Sequence, residues 1–337
     1  MRLRYLGAFF TMVILFTLFS TSFLWAQLDP FGEPAPARNQ DPFGNAENSG
    51  KQATHRWRVG MSITADGGPC GNFKGTASVP QDWPEQQVRI VDEEITGNAK
   101  VAYRILPAGI KQMLVAMPRI FAGTTETAIV TFEVTRSHIA PPSDTTDLSI
   151  PRSMPSIVRL TLGSSSFIDT RDAGIRRKGN EIFKTASDAN DWDKVKAIHE
   201  WVVANIQHQP NNNAIVGASK TLQTSAGGYE DLTNLFIALC RVNKIPARIV
   251  WCPDHCYAEF YLQNSEKKSK WYPCSLVGEK EFGFSTEERV ILQKGDNIKV
   301  PEKNDPQRYV AEFVKASGKQ GGKPRVNFVR QYLAAEK

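Results

Sequence analysis

Residues 227–262 read GGYEDLTNLFIALCRVNKIPARIVWCPDHCYAEFYL, and after a polar loop residues 270–275 read KWYPCS. Apolar residues recur at helical spacing behind the glycine pair, at Leu232, Leu235, Phe236 and Leu239. Pro246 ends this helix, because proline lacks the backbone N–H that a helix interior needs. Strands are predicted over 247–252, 255–262 and 270–276. A helix followed by an antiparallel sheet predicts an α+β fold.

The same domain is expected to begin near residue 157 and to run to residue 337. Asp191 is a candidate N-cap for a helix whose apolar stripe is formed by Val195, Ile198, Trp201, Val202 and Ile206. A last pair of strands is predicted around 289–300 and 325–332.

Residues 55–140 show the alternation typical of half-buried strands. Trp57, Val59, Met61 and Ile63 alternate with polar residues, as do Val130, Phe132 and Val134. Glycine and proline interrupt the runs, which predicts antiparallel strands joined by turns. A β-sandwich-like domain is therefore expected here, followed by a proline-rich linker over 141–156.

The first 26 residues are typical of a secretory signal peptide. Arg2 and Arg4 precede an apolar run, and small residues follow it. We expect an exported protein, periplasmic or extracellular. The only membrane contact expected is an uncleaved anchor formed by this apolar run. Residues 27–54 are rich in proline, glycine and asparagine, and predict a disordered tether.

Composition argues against several other classes of protein. The formal net charge is +6, and the basic residues are spread along the chain rather than gathered on one stripe, so no nucleic-acid partner is expected. The five cysteines show no CxxC spacing, so neither a metal site nor any cofactor is expected. Cys256 and Cys274 fall on one face of the predicted sheet, where they can form a disulfide or remain two buried thiols.

The order of these motifs resembles the core of the transglutaminase-like superfamily, which has a papain-like fold. That resemblance implies a catalytic Cys at the start of a helix, a His at the start of a strand and an Asp on the next strand. Tyr229 stands at the Cys position, His255 at the His position and Ser275 at the Asp position. Roughly residues 190 to 300 take part in the resemblance.

Two of the three positions therefore carry side chains that are unsuited to thiol catalysis. A tyrosine hydroxyl has a pKa near 10 and stays protonated at neutral pH. Ser275 has no charge to stabilise an imidazolium. We expect a protein that has lost thiol catalysis and binds a peptide or amide-bearing chain in its cleft. The expected lining is Tyr229 together with Tyr257, Glu259 and Trp271.

Two other readings remain open. A two-residue turn at Pro253–Asp254 would set Cys252 across from His255, which would suit an active amidohydrolase, peptidase or cross-linking transglutaminase. The other reading is a structural module of the cell envelope without a ligand.

Overall fold

A computed structural model describes residues 48–210, 214–317 and 320–333. Its strands are β1 (Asn48–Asp66), β2 (Cys70–Ser78), β3 (Gln86–Ile95), β4 (Lys100–Leu106), β5 (Ile110–Ile120), β6 (Thr125–Ile139), β7 (Gln207–His208), β8 (Ala226–Gly227), β9 (Ala247–Cys252), β10 (His255–Gln263), β11 (Ser269–Cys274), β12 (Gln293–Lys294), β13 (Phe313–Ala316) and β14 (Lys323–Leu333). Its helices are α1 (Ser156–Arg159), α2 (Ala173–Thr185), α3 (Asp191–Asn205), α4 (Ala218–Thr224) and α5 (Tyr229–Val242).

Two four-stranded antiparallel sheets form the predicted sandwich. One has the strand order β14-β1-β6-β3, and the other has the order β13-β2-β5-β4. The alternation in β1 and β6 is confirmed, because Trp57, Met61 and Phe132 are all at most 4% exposed. The sheets approach closely at Gly75, where a Cβ atom would lie 2.4 Å from the sulfur of Met61. Glycine at this position allows the two sheets to close on the core.

The strand β14 differs from the prediction. Residues 325–332 lie in β14, which pairs with β1 rather than with residues 289–300. The stretch 157–337, assigned above to the second domain, therefore supplies two strands of the sandwich. The two strands pair with the backbone edges of β1 and β2, which the sequence pattern alone does not reveal.

Most of the N-terminal segment lies outside the described residues. This part comprises the predicted signal peptide and residues 27–47 of the predicted tether. Residues 48–54, which were also assigned to the tether, are the start of β1 and pair with β6. No helix within the described ranges is long and apolar enough to cross a membrane.

The helix α5 is the centre of the second hydrophobic core. Leu232, Leu235, Phe236 and Leu239 are at most 1% exposed, as their spacing predicts. The helices α2, α3 and α4 pack around α5, and the antiparallel sheet β11-β10-β9-β12 covers it. Helix α3 is capped by Asn190 and not by Asp191, since the Asn190 side chain accepts a hydrogen bond from the backbone N–H of Asp193 at 2.9 Å.

A chain of buried ion pairs joins the sandwich to this core. Arg136 of β6 lies 3.8 Å from Glu85, and Glu85 lies 2.6 Å from the Nζ atom of Lys294 in β12. The same Nζ atom lies 2.7 Å from Glu259 in β10, which lies 2.7 Å from Arg248 in β9. Each of these side chains is at most 9% exposed. Buried charges persist only when they are paired and hydrogen-bonded, as they are here.

Two tryptophan rings lie against cations of this ion-pair network. The Nζ atom of Lys294 lies 5.0 Å from the ring centroid of Trp83, and the guanidinium of Arg248 lies 4.0 Å from that of Trp271. Both distances are within the range of cation–π attraction. Each tryptophan therefore gives one of the buried cations a favourable contact.

Replacing Lys294 by methionine should destabilise the fold strongly. The Lys294→Met substitution leaves Glu85 and Glu259 buried without their shared cation, which typically costs 3–5 kcal/mol, so a loss of about 4 kcal/mol in unfolding free energy is expected. Urea denaturation measures it. The matched control is Lys268→Met, which removes an exposed lysine paired with Glu266 at 2.8 Å and should change little. Equal losses of unfolding free energy in the two variants would contradict the stabilising role assigned to Lys294.

Candidate functional site

A buried carboxylate fixes the start of α5. The Oδ1 atom of Asp231 accepts hydrogen bonds from the backbone N–H groups of Val216 and Gly217, both at 2.9 Å. Its Oδ2 atom accepts one from Gly228 at 3.2 Å. These bonds satisfy backbone donors that would otherwise be unpaired before the helix. They give Tyr229, the first residue of α5, a fixed position at the positive end of the helix.

Tyr229 lies beside the imidazole of His255. The centroids of the two rings are 5.6 Å apart, with 40° between their planes. Tyr229 is half-buried, and burial raises the pKa of its phenol to about 12, with the carboxylate of Glu230 adding to the shift. The structure thus brings two of the predicted site residues together. The hydroxyl of Tyr229 is protonated at neutral pH.

The hairpin between β9 and β10 sets Cys252 directly across from His255, which confirms the predicted pairing. Asp254 in the connecting turn has a φ of +54°, a conformation that aspartate tolerates in tight turns. However, Cys252 is only 5% exposed, and burial raises the pKa of its thiol to about 12. Reactive cysteines have lowered pKa values, so the Cys252 thiol does not meet that requirement.

His255 has a carboxylate neighbour that the sequence did not indicate. The Nε2 atom of His255 lies 3.7 Å from Oε2 of Glu287, an ion-pair distance. Burial lowers the pKa of His255; Glu287 opposes this shift, and the positive charge of Arg289 adds to it. Glu287 lies between β11 and β12 in a segment without helix or strand, where no periodicity predicts its proximity to His255. The only signal was the acid-rich composition of residues 279–288.

Ser275 does not contact His255 through its hydroxyl. That hydroxyl donates a hydrogen bond to the carbonyl oxygen of Val277 at 2.7 Å. The carbonyl oxygen of Ser275 accepts one from Nε2 of His199 at 2.8 Å. Ser275 therefore holds the end of β11 against α3, while Glu287 is the acidic neighbour of His255.

The segment that carries Glu287 is hydrogen-bonded to the sandwich. The backbones of Ser285 and Ile139 exchange two hydrogen bonds, at 2.8 and 3.0 Å, so the segment extends the sheet at the end of β6. The buried guanidinium of Arg136 donates a hydrogen bond to the carbonyl oxygen of Glu287 at 3.0 Å. The sandwich therefore determines where the Glu287 carboxylate lies relative to His255.

A cavity of about 710 Å³ opens at this junction. His255, Tyr257 and Ser275 line one side of it, and His55 of β1 and Tyr332 of β14 line the sandwich side. The remaining wall is the segment between residues 277 and 289. The volume of the cavity is in the range of pockets that hold small ligands or a few peptide residues.

The predicted binding residues divide between this cavity and the core. Tyr257 lines the cavity, whereas Tyr229, which lies beside His255, is not among the lining residues. Glu259 does not, because it is 2% exposed and is held between Lys294 and Arg248. Trp271 covers Arg248 and packs on Tyr261, with ring centroids 5.0 Å apart. Glu259 and Trp271 are therefore structural, which the alternation of β10 and β11 could not reveal.

All five cysteines lie in the described ranges and are free thiols. Cys274 pairs in register with Ala258, two residues along β10 from Cys256. Of the two open alternatives for Cys256 and Cys274, the structure has two buried thiols. Burial raises the pKa of both.

Comparison with known proteins identifies the class of the core. Residues 177–276 match the family model of the transglutaminase-like superfamily. This range runs from α2 to just beyond β11, so this part of the chain carries a transglutaminase-like core, and the predicted resemblance is confirmed. Glu287 lies beyond the matched range. No curated protein sequence matches the chain significantly.

Two solved structures resemble the chain. A candidate cysteine protease from Cytophaga hutchinsonii aligns with a TM-score of 0.52 and 16% identity, covering 85% of this chain and 93% of that one. A candidate protease from Parabacteroides distasonis aligns with a TM-score of 0.26 and 11% identity, covering 69% of each chain. The first likeness confirms the α+β fold and extends beyond the core into the sandwich.

The pKa of His255 provides a test of its contact with Glu287. We expect His255 to titrate below pH 6.5, and the Glu287→Gln substitution to lower the midpoint further, because the carboxylate favours the imidazolium. NMR titration of the imidazole protons measures both midpoints. The Glu288→Gln control removes a carboxylate that contacts His138 instead. An unchanged midpoint in Glu287→Gln would refute the contact.

Proposed function

We propose that this protein binds a peptide chain in the cavity between its sandwich and its transglutaminase-like core, without thiol catalysis. The observation that carries the proposal is the half-buried Tyr229 phenol at the helix start, next to His255. A thiol at that position would be activated by the helix N-terminus and the imidazole. A protonated phenol gains nothing from either group at neutral pH.

The alternative is a thiol amidohydrolase, peptidase or cross-linking enzyme that uses Cys252 and His255. The register of β9 and β10 favours it, since the two residues are directly opposed. Two observations favour the binding role instead. Cys252 is buried, with a pKa raised to about 12, and it lies at a strand end without a helix N-terminus behind it. A structural module without a ligand is less favoured, because it would not need the cavity beside His255.

We further propose that the protein acts outside the cytoplasm. The support is the basic start and apolar run of residues 2–26. A tether following a signal peptide would place the sandwich and the core in the periplasm or outside the cell.

Restoring a thiol at the helix start should create a reactive site. In the Tyr229→Cys variant, we expect the new thiol to react with iodoacetamide at neutral pH at least tenfold faster than any native cysteine. Mass spectrometry of the labelled peptides measures the rates. The control is Tyr229→Cys combined with His255→Ala, which should slow the labelling. Rapid labelling of Cys252 in the unmodified protein that depends on His255 would refute the proposal.

Obstructing the opening of the cavity should weaken peptide binding. Glu279 lies on the exposed rim, and the Glu279→Trp substitution places a bulky ring in the opening. Binding of a pool of short labelled peptides, followed by fluorescence polarisation, should weaken at least tenfold. Glu266→Trp makes the same change on the exposed loop between β10 and β11 and should have no effect. If both variants bind like the unmodified protein, the cavity is not the binding site.

A further inference from the structure

Exposed basic residues are gathered on one side of the transglutaminase-like core. They lie just before and on α2, on α4 and just after α5, and we call them the basic face: Arg171, Arg176, Arg177, Lys184, Lys220 and Lys244. These residues are spread along the sequence, but α2 packs against both other helices. A Cβ atom on Gly174 of α2 would lie 3.7 Å from Leu222 of α4, and one on Gly179 of α2 would lie 2.5 Å from Val242 of α5. The fold therefore brings together charges that the sequence separates.

The positive charge of the basic face is not paired with neighbouring carboxylates. None of its side chains forms an ion pair with a carboxylate in the described ranges. The acids between residues 169 and 184 have other contacts. Glu181 pairs with Lys178 at 2.8 Å, Asp172 caps α2, and Asp169 accepts a hydrogen bond from the backbone N–H of Arg171 at 2.8 Å. The basic face thus carries an excess of positive charge, which attracts an anionic partner.

Two exposed apolar side chains adjoin the basic face. Phe167 is 44% exposed, and Val216 is 40% exposed. The intervening Gly217 lies against Phe167, because a Cβ atom on this glycine would be 3.2 Å from the Cα atom of Phe167. The backbone N–H of Ala218 donates a hydrogen bond to the carbonyl oxygen of Phe167 at 2.9 Å. Both apolar residues therefore lie at the start of α4, the helix that carries Lys220 of the basic face.

The exposed position of Phe167 is held by an unfavourable backbone conformation. Its φ is +67°, in the left-handed region that bulky side chains rarely adopt. The backbones of Ser165 and Ile168 close this turn with hydrogen bonds of 3.1 and 3.0 Å. The guanidinium of Arg308 lies 5.4 Å from the ring centroid, yet much of the ring remains open to solvent. Backbone strain of this kind is concentrated at functional sites, which indicates a role for the exposed ring.

We propose that the basic face binds the surface of an anionic phospholipid bilayer, with Phe167 and Val216 entering the interface between headgroups and acyl chains. Basic side chains attract anionic headgroups, and adjacent apolar side chains add to the binding by leaving water. A nucleic acid fits less well, because Val216 has no π-face on which a base could stack. None of these residues lines the cavity, so the proposal does not depend on peptide binding.

Vesicle co-sedimentation tests the proposal. The protein used is residues 27–337, which keeps every described residue and removes the apolar run that would itself enter a bilayer. We expect vesicles of equal parts phosphatidylglycerol and phosphatidylcholine to bind this chain about tenfold more tightly than vesicles of phosphatidylcholine alone. The difference should shrink as salt is raised, since exposed charges are screened.

Charge-reversal variants locate the surface that binds. Arg176→Glu combined with Arg177→Glu should weaken binding to the phosphatidylglycerol vesicles about tenfold, because both changes lie on the basic face. The matched control, Lys74→Glu with Lys100→Glu, makes the same charge change at exposed positions of the sandwich and should bind normally. Equal losses in the two double variants would overturn the proposal, and so would equal binding of the unmodified chain to both kinds of vesicle.

A substitution at Phe167 tests the apolar contact. Asparagine tolerates a left-handed backbone, so Phe167→Asn should fold, which urea denaturation checks. We expect it to weaken binding to the phosphatidylglycerol vesicles about fivefold. Unchanged vesicle binding in this variant would overturn the proposed insertion. Binding of a single-stranded oligonucleotide that depends on Arg176 and Arg177, without binding to vesicles, would assign the basic face to nucleic acid instead. Absence of binding to either probe would overturn the proposal as well.

Discussion

The arrangement of the molecule depends on the two ion pairs formed by the ammonium group of Lys294. It is shared between Glu85, which precedes a strand of the sandwich, and Glu259, which lies in the sheet of the core. Each carboxylate also has an arginine partner within its own half of the molecule, Arg136 for Glu85 and Arg248 for Glu259. Lys294 is the cation that the two carboxylates share across the junction, and burying them without it is costly. The ion pairs therefore define the relative position of the sandwich and the core, in addition to any apolar contact between them.

This position determines the candidate site. The cavity wall that carries Glu287 is joined to the sandwich through Ile139 and Arg136, while His255 belongs to the core. The distance between these two side chains is a consequence of how the sandwich and the core are held together. The transglutaminase-like core supplies the helix start and the hairpin. The sandwich supplies the opposite wall, so the site is composite.

Local sequence patterns predicted the local structure well. Helical spacing located α5, and the motif order placed Tyr229 and His255 together, because a helix start and a hairpin are short-range features. Patterns failed where distant segments meet. The alternation of β10 assigned Glu259 to the same face as His255, which is correct, but could not show that Lys294 would cover it. Nor could it show that Glu287, rather than Ser275, would approach His255.

The pairing of β14 with β1 has a consequence for how the chain acquires its structure. Met61 lies opposite Phe328, so the outer edge of β1 stays uncovered until nearly the whole chain has been synthesised. Contacts of such large sequence separation form slowly. The sandwich sheet thus cannot be completed on the ribosome from its own N-terminal strands. Until β14 pairs, the exposed edge of β1 is the surface on which the chain would aggregate if closure failed.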